Sequence, residues 1–137
     1  MVSSGVYLKS DSIRIVTLSG TKENHDRIAE KVHKLNLPLS AEQEEIEVFV
    51  QTLKAYCSDN KVDIIFINKR NSKGRHAGGA ATFRNEGIIH ATSPVSVKAV
   101  HPSTLAATNR KHSELKILRP NTKDLGVAYD LAFEGLE

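Results

Sequence analysis

The sequence is short of the residues that build several common kinds of site. Its 137 residues include a single cysteine, Cys57, which excludes an internal disulfide and any cysteine-rich zinc site. No apolar run approaches the roughly 18 residues that a membrane helix needs. The opening segment, MVSSGVYLKS, has neither the basic patch nor the long apolar core of a signal peptide. We therefore expect a cytoplasmic protein with no membrane attachment.

Metal-binding and nucleophilic patterns are absent as well. The spacing of the histidines matches no metal site, so each is expected to be a polar residue of the surface or core; they are His25, His33, His76, His90, His101 and His112. Cys57 fits the apolar stripe of a helix and has no evident neighbouring base, so we expect it to be inert. No cofactor is expected.

What the chain does have is an uneven distribution of charge. The net charge is only +3, yet residues 61–120 hold 11 lysines and arginines against 3 acidic residues, while residues 1–60 and 121–137 are net acidic. A basic middle between acidic ends is typical of a face that binds polyanions. The alternative is that these cations are scattered over a solvated surface.

Hydrophobic patterning predicts an α/β domain. Strands are predicted over 4–9, 12–18, 34–39, 62–68 and 95–100. Helices are predicted over 41–58 and 78–92, after Pro102, and along an apolar stripe from Leu125 to Leu136. Ser40 followed by Gln43 predicts a capping box for the first helix, and the apolar run 62–68 predicts a central strand buried on both faces. The order predicts one domain, 1–137, with a mixed sheet of about five strands and helices on both faces.

The segment NKRNSKGRHAGGAATF, residues 68–83, directly follows the predicted central strand. Its cations, Lys69, Arg70, Lys73 and Arg75, precede a glycine pair, Gly78 and Gly79, at the start of a predicted helix. Helix N-termini attract anions, and glycine lets a backbone approach a phosphate closely. The spacing matches neither a Walker A nor a dinucleotide motif. These features indicate an anion-binding loop; the alternative is a solvated basic turn in which the glycines serve only turn geometry.

Three stretches resemble a known family. GVYL at 5–8 is similar to an opening GVEL. VDIIFINKRNSKGRHAGGAATF at 62–83 is similar to a strand that ends in KERP and continues KGKFAGGA. VKAVHPSTLAAT at 97–108 is similar to a strand followed by a P-x-x-V/I-K step. Together they resemble the RuvC-type branch of the ribonuclease H-like fold and, more closely, a small bacterial group, domain-of-unknown-function family 3010.

This resemblance implies a fold and a place for an active site. In ribonuclease H-like nucleases, acids on the first strand, at the end of the fourth strand and on the last helix hold divalent metal ions that activate water. At the first two places this sequence has Tyr7 and Lys69, and its last helix offers Asp124, Asp130 and Glu134. A lysine repels Mg²⁺, which requires several hard oxygen ligands. We therefore expect a degenerate site of Tyr7, Lys69 and Asp130, in which Lys69 pairs with Asp130.

The leading hypothesis is non-catalytic binding of nucleic acid or another phosphate-bearing ligand through the basic loop 68–79. No catalytic residue and no metal ligand is expected. One alternative is a divalent-metal-dependent phosphodiesterase or nuclease that uses Asp130, Asp124 or Glu134 with further acids. Another is a protein-interaction module, whose mark is a stable homodimer with a large apolar interface.

Overall fold

The computed structural model describes residues 1–69 and 79–137, which form a six-stranded mixed sheet with helices on both faces. The strands are β1 Val2–Lys9, β2 Ser12–Gly20, β3 His25–Ile28, β4 Lys34–Asn36, β5 Ile64–Asn68 and β6 Ser96–Val100. The helices are α1 Gln43–Asp59, α2 Ala80–Thr92, α3 Pro102–His112 and α4 Lys123–Glu134, and a 3₁₀ turn, Ser113–Leu115, follows α3. None of the helices in the described residues is both long and apolar enough to span a bilayer.

The topology gathers three strand ends at one edge of the sheet. The order is β3-β2-β1-β5-β6, and β4 pairs with the beginning of β2. β1 runs antiparallel to β2 but parallel to β5, which in turn runs parallel to β6. The C-terminal ends of β1, β5 and β6 therefore lie together. In open α/β sheets, ligands bind in the crevice outside such ends.

One face of the sheet packs against α1 and α2 through an apolar core. Alternate residues of the strands point to this face. Its buried members are Val6, Leu8, Ile13, Ile15, Leu37, Ala41, Phe49, Leu53, Tyr56, Cys57, Val62, Ile65, Ile67 and Ile89. The few polar groups are paired, since the Thr17 hydroxyl hydrogen-bonds both Ser4, at 2.6 Å, and Tyr56. Burial raises the pKa of the Tyr56 phenol.

The opposite face packs against α4 at very short range. A Cβ on Gly5 would lie only 1.9 Å from the Ala128 carbonyl oxygen, so α4 rests directly on the backbone of β1. Around this contact, Val16 and Leu18 of β2 pack in a second core with residues of α4. The last turn of α4 is held by Lys22, whose ammonium donates to the backbone oxygens of Glu134 and Leu136.

The predicted order of elements is confirmed, with one strand added. β3 lies in the polar segment 20–33, where patterning predicts no element. The predicted capping box is wrong: residues 38–41 form a turn closed by the Ala41 amide and the Pro38 carbonyl, at 2.9 Å, so α1 begins only after Glu42 and has no side-chain cap. The prediction that 62–68 is buried on both faces is also wrong. Within β5 only alternate residues are buried, because its second face is covered incompletely.

Candidate functional site

A cavity of about 410 Å³ opens at the edge where β1, β5 and β6 end. The strands form one wall, and α3 and α4 form the other. Its lining residues are Tyr7, Asn68, Lys69, Val100, Pro102, Leu105, Ala106, Asn109, Val127 and Asp130. The three residues of the predicted degenerate site, Tyr7, Lys69 and Asp130, therefore line one cavity.

Asn68 closes the seam between β1 and β5 at this cavity. Its Oδ1 accepts a hydrogen bond from the Leu8 amide at 2.9 Å, and its Nδ2 donates to the Leu8 carbonyl at 3.4 Å. The side-chain amide thus satisfies the backbone groups of Leu8 after the regular ladder has ended. The next backbone amide, that of Lys69, donates to the Val100 carbonyl at 2.8 Å. Strand pairing on both sides therefore positions residues 68 and 69 at the cavity wall.

Asp130 projects from α4 and lies between two cations. Lys116 Nζ donates to Oδ1 at 2.8 Å, while Arg119 donates through Nε to Oδ1 at 3.0 Å and through Nη2 to Oδ2 at 2.9 Å. Lys116 is buried and also donates to Asn109 Oδ1 at 3.2 Å. The hydrogen bond to Asp130 raises the pKa of Arg119. We call Lys116, Arg119 and Asp130 the cation cage; with two cations for one carboxylate, it carries excess positive charge.

The predicted ion pair between Lys69 and Asp130 does not form. Lys69 is exposed at the cavity, but within residues 1–69 and 79–137 the cations that pair with Asp130 are Lys116 and Arg119. Both come from the segment between α3 and α4. Two cations do neutralise Asp130, but Lys69 is not one of them.

The basic loop begins at this cavity and leads to the start of α2. Of its predicted residues, Lys69 and Gly79 are described, and the others lie outside the described residues: Arg70, Lys73, Arg75 and Gly78. Gly79 is the N-cap of α2, no side chain of the described residues caps this helix, and its first turn carries no acidic residue. Among the described residues, a Cβ on Gly79 would meet nothing within 4 Å. Helix N-termini attract anions.

A neutral polar pair lies beside the cation cage. The Tyr129 hydroxyl and His25 Nε2 are 2.6 Å apart, and both residues are buried. His25 Nδ1 faces the carbonyl oxygens of Thr21 and Lys22 at 3.1 and 3.2 Å. Carbonyls only accept, so Nδ1 carries the proton, and in the neutral imidazole Nε2 then accepts from Tyr129. Burial, with a further contribution from the Asp130 charge, raises the pKa of Tyr129 to about 12.

Comparison with known proteins assigns this sequence to a family. The sequence model of the family described as "Protein of unknown function (DUF3010)" matches residues 1–135. The chain belongs to this family. Among curated proteins, none matches the sequence.

Solved structures resemble this DUF3010 member over almost its full length. Thermus thermophilus RuvC has 11% identity and a TM-score of 0.70, covering 97% of this chain and 92% of that one. T. thermophilus RuvC in complex with a Holliday junction substrate has 13% identity and a TM-score of 0.66, covering 97% and 90%. The fowlpox virus Holliday junction resolvase has 11% identity and a TM-score of 0.50, covering 98% and 96%. The likeness confirms the predicted ribonuclease H-like, RuvC-type fold.

The donor set in this DUF3010 member does not fit the divalent ion that the resemblance to nucleases implies. Asp130 is the one carboxylate that lines the cavity among the described residues, and its oxygens already accept hydrogen bonds from both cations of the cage. Asp124 pairs with Lys9 at 3.2 Å, and Glu134 accepts from the Thr108 hydroxyl at 2.6 Å. No group of three acidic, histidine or cysteine side chains in the described residues is arranged to bind a metal. The excess of cations suits an anion instead.

Sequence reasoning missed four residues of this site, namely Asn68, Asn109, Lys116 and Arg119. The two amides carry no sequence signal that separates them from surface residues. The two cations do carry a sequence signal. In the segment Lys116-Ile117-Leu118-Arg119, two charged residues enclose two apolar ones immediately before a proline. Solvated loops are usually polar throughout.

Proposed function

We propose that the protein binds nucleic acid without cleaving it, with phosphate groups held by the basic loop 68–79 and the adjoining cavity. The observation that carries the proposal is the charge of this cavity. Lys69 stands at its wall, and Asp130, the one carboxylate among the described lining residues, is outnumbered by the two cations that hold it. Lysine, arginine and helix N-termini are the groups through which proteins hold phosphate oxygens.

The distribution of charge supports a polyanion over a small anion. Lys69, Arg70, Lys73 and Arg75 lie within seven residues that contain no acid. Across the cavity, α3 ends in a basic turn that includes the exposed Arg110 and Lys111. A ligand with phosphates spaced along a chain can contact both regions, whereas one phosphate reaches only one of them.

The fold provides further support by analogy. One structural neighbour is described in complex with a Holliday junction substrate, and another is a Holliday junction resolvase. A shared fold does not transfer an activity, and the cation cage at Asp130 argues against carrying over the cleavage. The proposal treats residues 1–137 as one domain that acts in the cytoplasm, where nucleic acids are accessible.

Fluorescence polarisation with labelled single-stranded, duplex and four-way-junction DNA and with RNA, across a salt series, tests the proposal. We expect binding at low salt that weakens steeply as salt rises, because bound phosphates release counterions. Changing Lys69, Arg70, Lys73 and Arg75 together to Ala should reduce both the affinity and the slope of its salt dependence. No binding of the native protein to any probe at low salt would refute the proposal.

A charge-matched control separates the loop from bulk electrostatics. Changing Lys31, Lys34, Lys54 and Lys61 to Ala removes the same number of charges from exposed positions away from the cavity. This control should keep most of the affinity. An equal loss in both variants would mean that net charge, rather than the loop, determines binding.

The metal-dependent alternative has its own measurement. A divalent ion that binds the folded state raises the melting temperature by mass action. We expect millimolar Mg²⁺ or Mn²⁺ to leave the melting temperature unchanged and labelled junction DNA uncut. A rise in melting temperature together with cleavage, both lost in Asp130→Asn, would establish a nuclease instead.

A further inference from the structure

The connection between α3 and α4 presents two large aliphatic side chains to water. The Arg119 amide donates to the Lys116 carbonyl at 3.3 Å, which closes a β-turn with Ile117 and Leu118 at its central positions. Ile117 is 82% exposed and Leu118 is 38% exposed. Glycine, proline, asparagine, aspartate and serine dominate turns. Ile117 and Leu118 depart from this preference and gain no packing in return, which points to a functional reason for them.

Both ends of this turn are anchored to one carboxylate. The side chains of Lys116 and Arg119, its first and last residues, both bind Asp130. Gly126 leaves room for the guanidinium, since a Cβ there would lie 2.8 Å from Arg119 Nη1. The cation cage therefore restrains the turn from both sides. The two aliphatic side chains are held outward, and their freedom to fold back onto the protein is reduced.

The surroundings of this turn are basic. Lys116 Nζ also donates to Asn109, which ties the turn to the end of α3, where Arg110 and Lys111 are exposed. Arg119 is itself partly exposed, and Lys123 opens α4. The acidic residue of the adjacent 3₁₀ turn is Glu114, so cations remain in excess. Two apolar side chains among cations complement a ligand with anionic edges and an apolar interior.

We propose that Ile117 and Leu118 form an apolar wedge that enters an unstacked base step of nucleic acid while the neighbouring cations contact its phosphates. This inference rests on the proposed function and narrows it to nucleic acid with an unpaired or opened step. Proteins that kink nucleic acid insert aliphatic side chains of this kind between bases. A bilayer is a poorer match, because even a whole myristoyl chain gives only marginal membrane binding.

The test uses a variant without the wedge and a matched control. Ile117→Ser with Leu118→Ser removes the apolar tip but no charge. Val48→Ser removes another exposed aliphatic side chain, 66% exposed and so between Ile117 and Leu118, from the acidic beginning of α1. The probes are an intact duplex and the same duplex with a short gap, each with 2-aminopurine at the central step.

We expect the native protein and the Val48→Ser control to bind the gapped probe about tenfold more tightly than the intact one, equivalent to about 1.4 kcal/mol. Binding should raise the 2-aminopurine fluorescence, because the base loses its stacking. The double variant should lose both the preference and the fluorescence change. Its salt dependence should stay native, since no cation has been removed.

The outcomes separate this inference from the function on which it rests. Equal affinity of the native protein for both probes, or a double variant that keeps the preference and the fluorescence change, overturns the wedge and leaves nucleic-acid binding intact. No binding to any probe at low salt overturns both. Co-sedimentation of the native protein with phosphatidylserine vesicles that is lost in the double variant, while gap binding is unchanged, assigns the tip to membranes and overturns the wedge.

Discussion

The two faces of the sheet are stabilised in different ways. Against α1 and α2 the core is a continuous set of apolar side chains with one small hydroxyl cluster. Against α4 the packing combines a backbone contact at Gly5, the cation cage around Asp130 and the neutral pair of His25 and Tyr129. The first face depends on total apolar volume, which many sequences can supply. The second depends on individual atoms, and the candidate site lies on that side.

The contrast extends to how each face tolerates change. Removing methylenes from an apolar core lowers stability in graded steps. Removing one partner of a buried charge leaves the other unpaired, and the loss is abrupt. We therefore expect the effect of a substitution on the α4 face to depend strongly on which atoms it removes or adds.

The most direct way to break the α4 face is Gly5→Ala. The new methyl group would lie 1.9 Å from a backbone oxygen of α4, so the helix must move away from β1. We expect a loss of about 4 kcal/mol or more in the free energy of unfolding, measured by urea denaturation. Gly87→Ala is the control on the other face. Its Cβ would meet nothing within 4 Å, so better helix propensity should stabilise the protein by about 1 kcal/mol. A native-like stability for Gly5→Ala would contradict the close contact.

The cation cage predicts the second largest effect. Asp130→Asn leaves Lys116 buried without a negative partner, and we expect a loss of about 3 kcal/mol in guanidinium denaturation. Asp124→Asn removes the same charge from the same helix, but its partner Lys9 is exposed, so the loss should be about 0.5 kcal/mol. Similar losses in the two variants would show that the cage is no stronger than a surface ion pair.

The neutral pair should give an intermediate effect. Tyr129→Phe removes the donor to His25 and leaves a buried acceptor unsatisfied, so we expect a loss of about 1.5 kcal/mol at neutral pH. Unfolding curves at pH 7 measure it. A phenylalanine variant as stable as the native protein would show that the hydrogen bond adds nothing.

Alkaline pH tests the same pair through its linkage to stability. Folding raises the pKa of Tyr129 from 10.0 to about 12, so its contribution is intact below pH 10 and is lost as pH rises through 12. Burial raises the pKa of Cys57 to about 11, which acts in the same direction on the α1 face. Stability should therefore fall above pH 9, and the fall should be shallower in Tyr129→Phe and in Cys57→Ala. An identical pH profile in all three proteins would refute this linkage.

The smallest effect on stability is expected from Gly126→Ala. Alanine improves helix propensity, while its methyl group displaces Arg119 from Asp130. The two effects oppose each other, so the free energy of unfolding should change by less than about 1 kcal/mol. Preference for a gapped duplex should nevertheless weaken, because one anchor of the turn at Ile117 and Leu118 is lost. Unchanged gap binding would mean that Lys116 alone positions the turn.

The predictability of the fold differs between the faces in the same way. β1, β2, β5 and α1 bury apolar side chains at regular spacing, which is the signal that patterning detects. β3 is missed because its buried residue is a histidine, His25, whose burial depends on the Tyr129 hydroxyl far along the chain. Tertiary hydrogen bonds of this kind leave no local pattern.

The location of the candidate site could be predicted, but its chemistry only in part. Family resemblance places Tyr7, Lys69 and Asp130, and all three line the cavity. The partners of Asp130 could not be predicted, because which cation reaches a carboxylate depends on the path of the chain between α3 and α4. Lys116 is buried, and a lysine in an aperiodic segment is ordinarily expected in solvent.

The contact between Gly5 and Ala128 has a consequence for how the chain folds during synthesis. It joins β1 with α4, which leaves the ribosome much later than β1 does. Until α4 emerges, the nascent sheet has no cover on that face, whereas α1 is already available for the other. We therefore expect α1 to pack on its face of the sheet during synthesis, and the opposite face to be covered only after α4 has been made. Val16 and Leu18 are uncovered until α4 packs on them, so a chaperone would bind the chain in this interval.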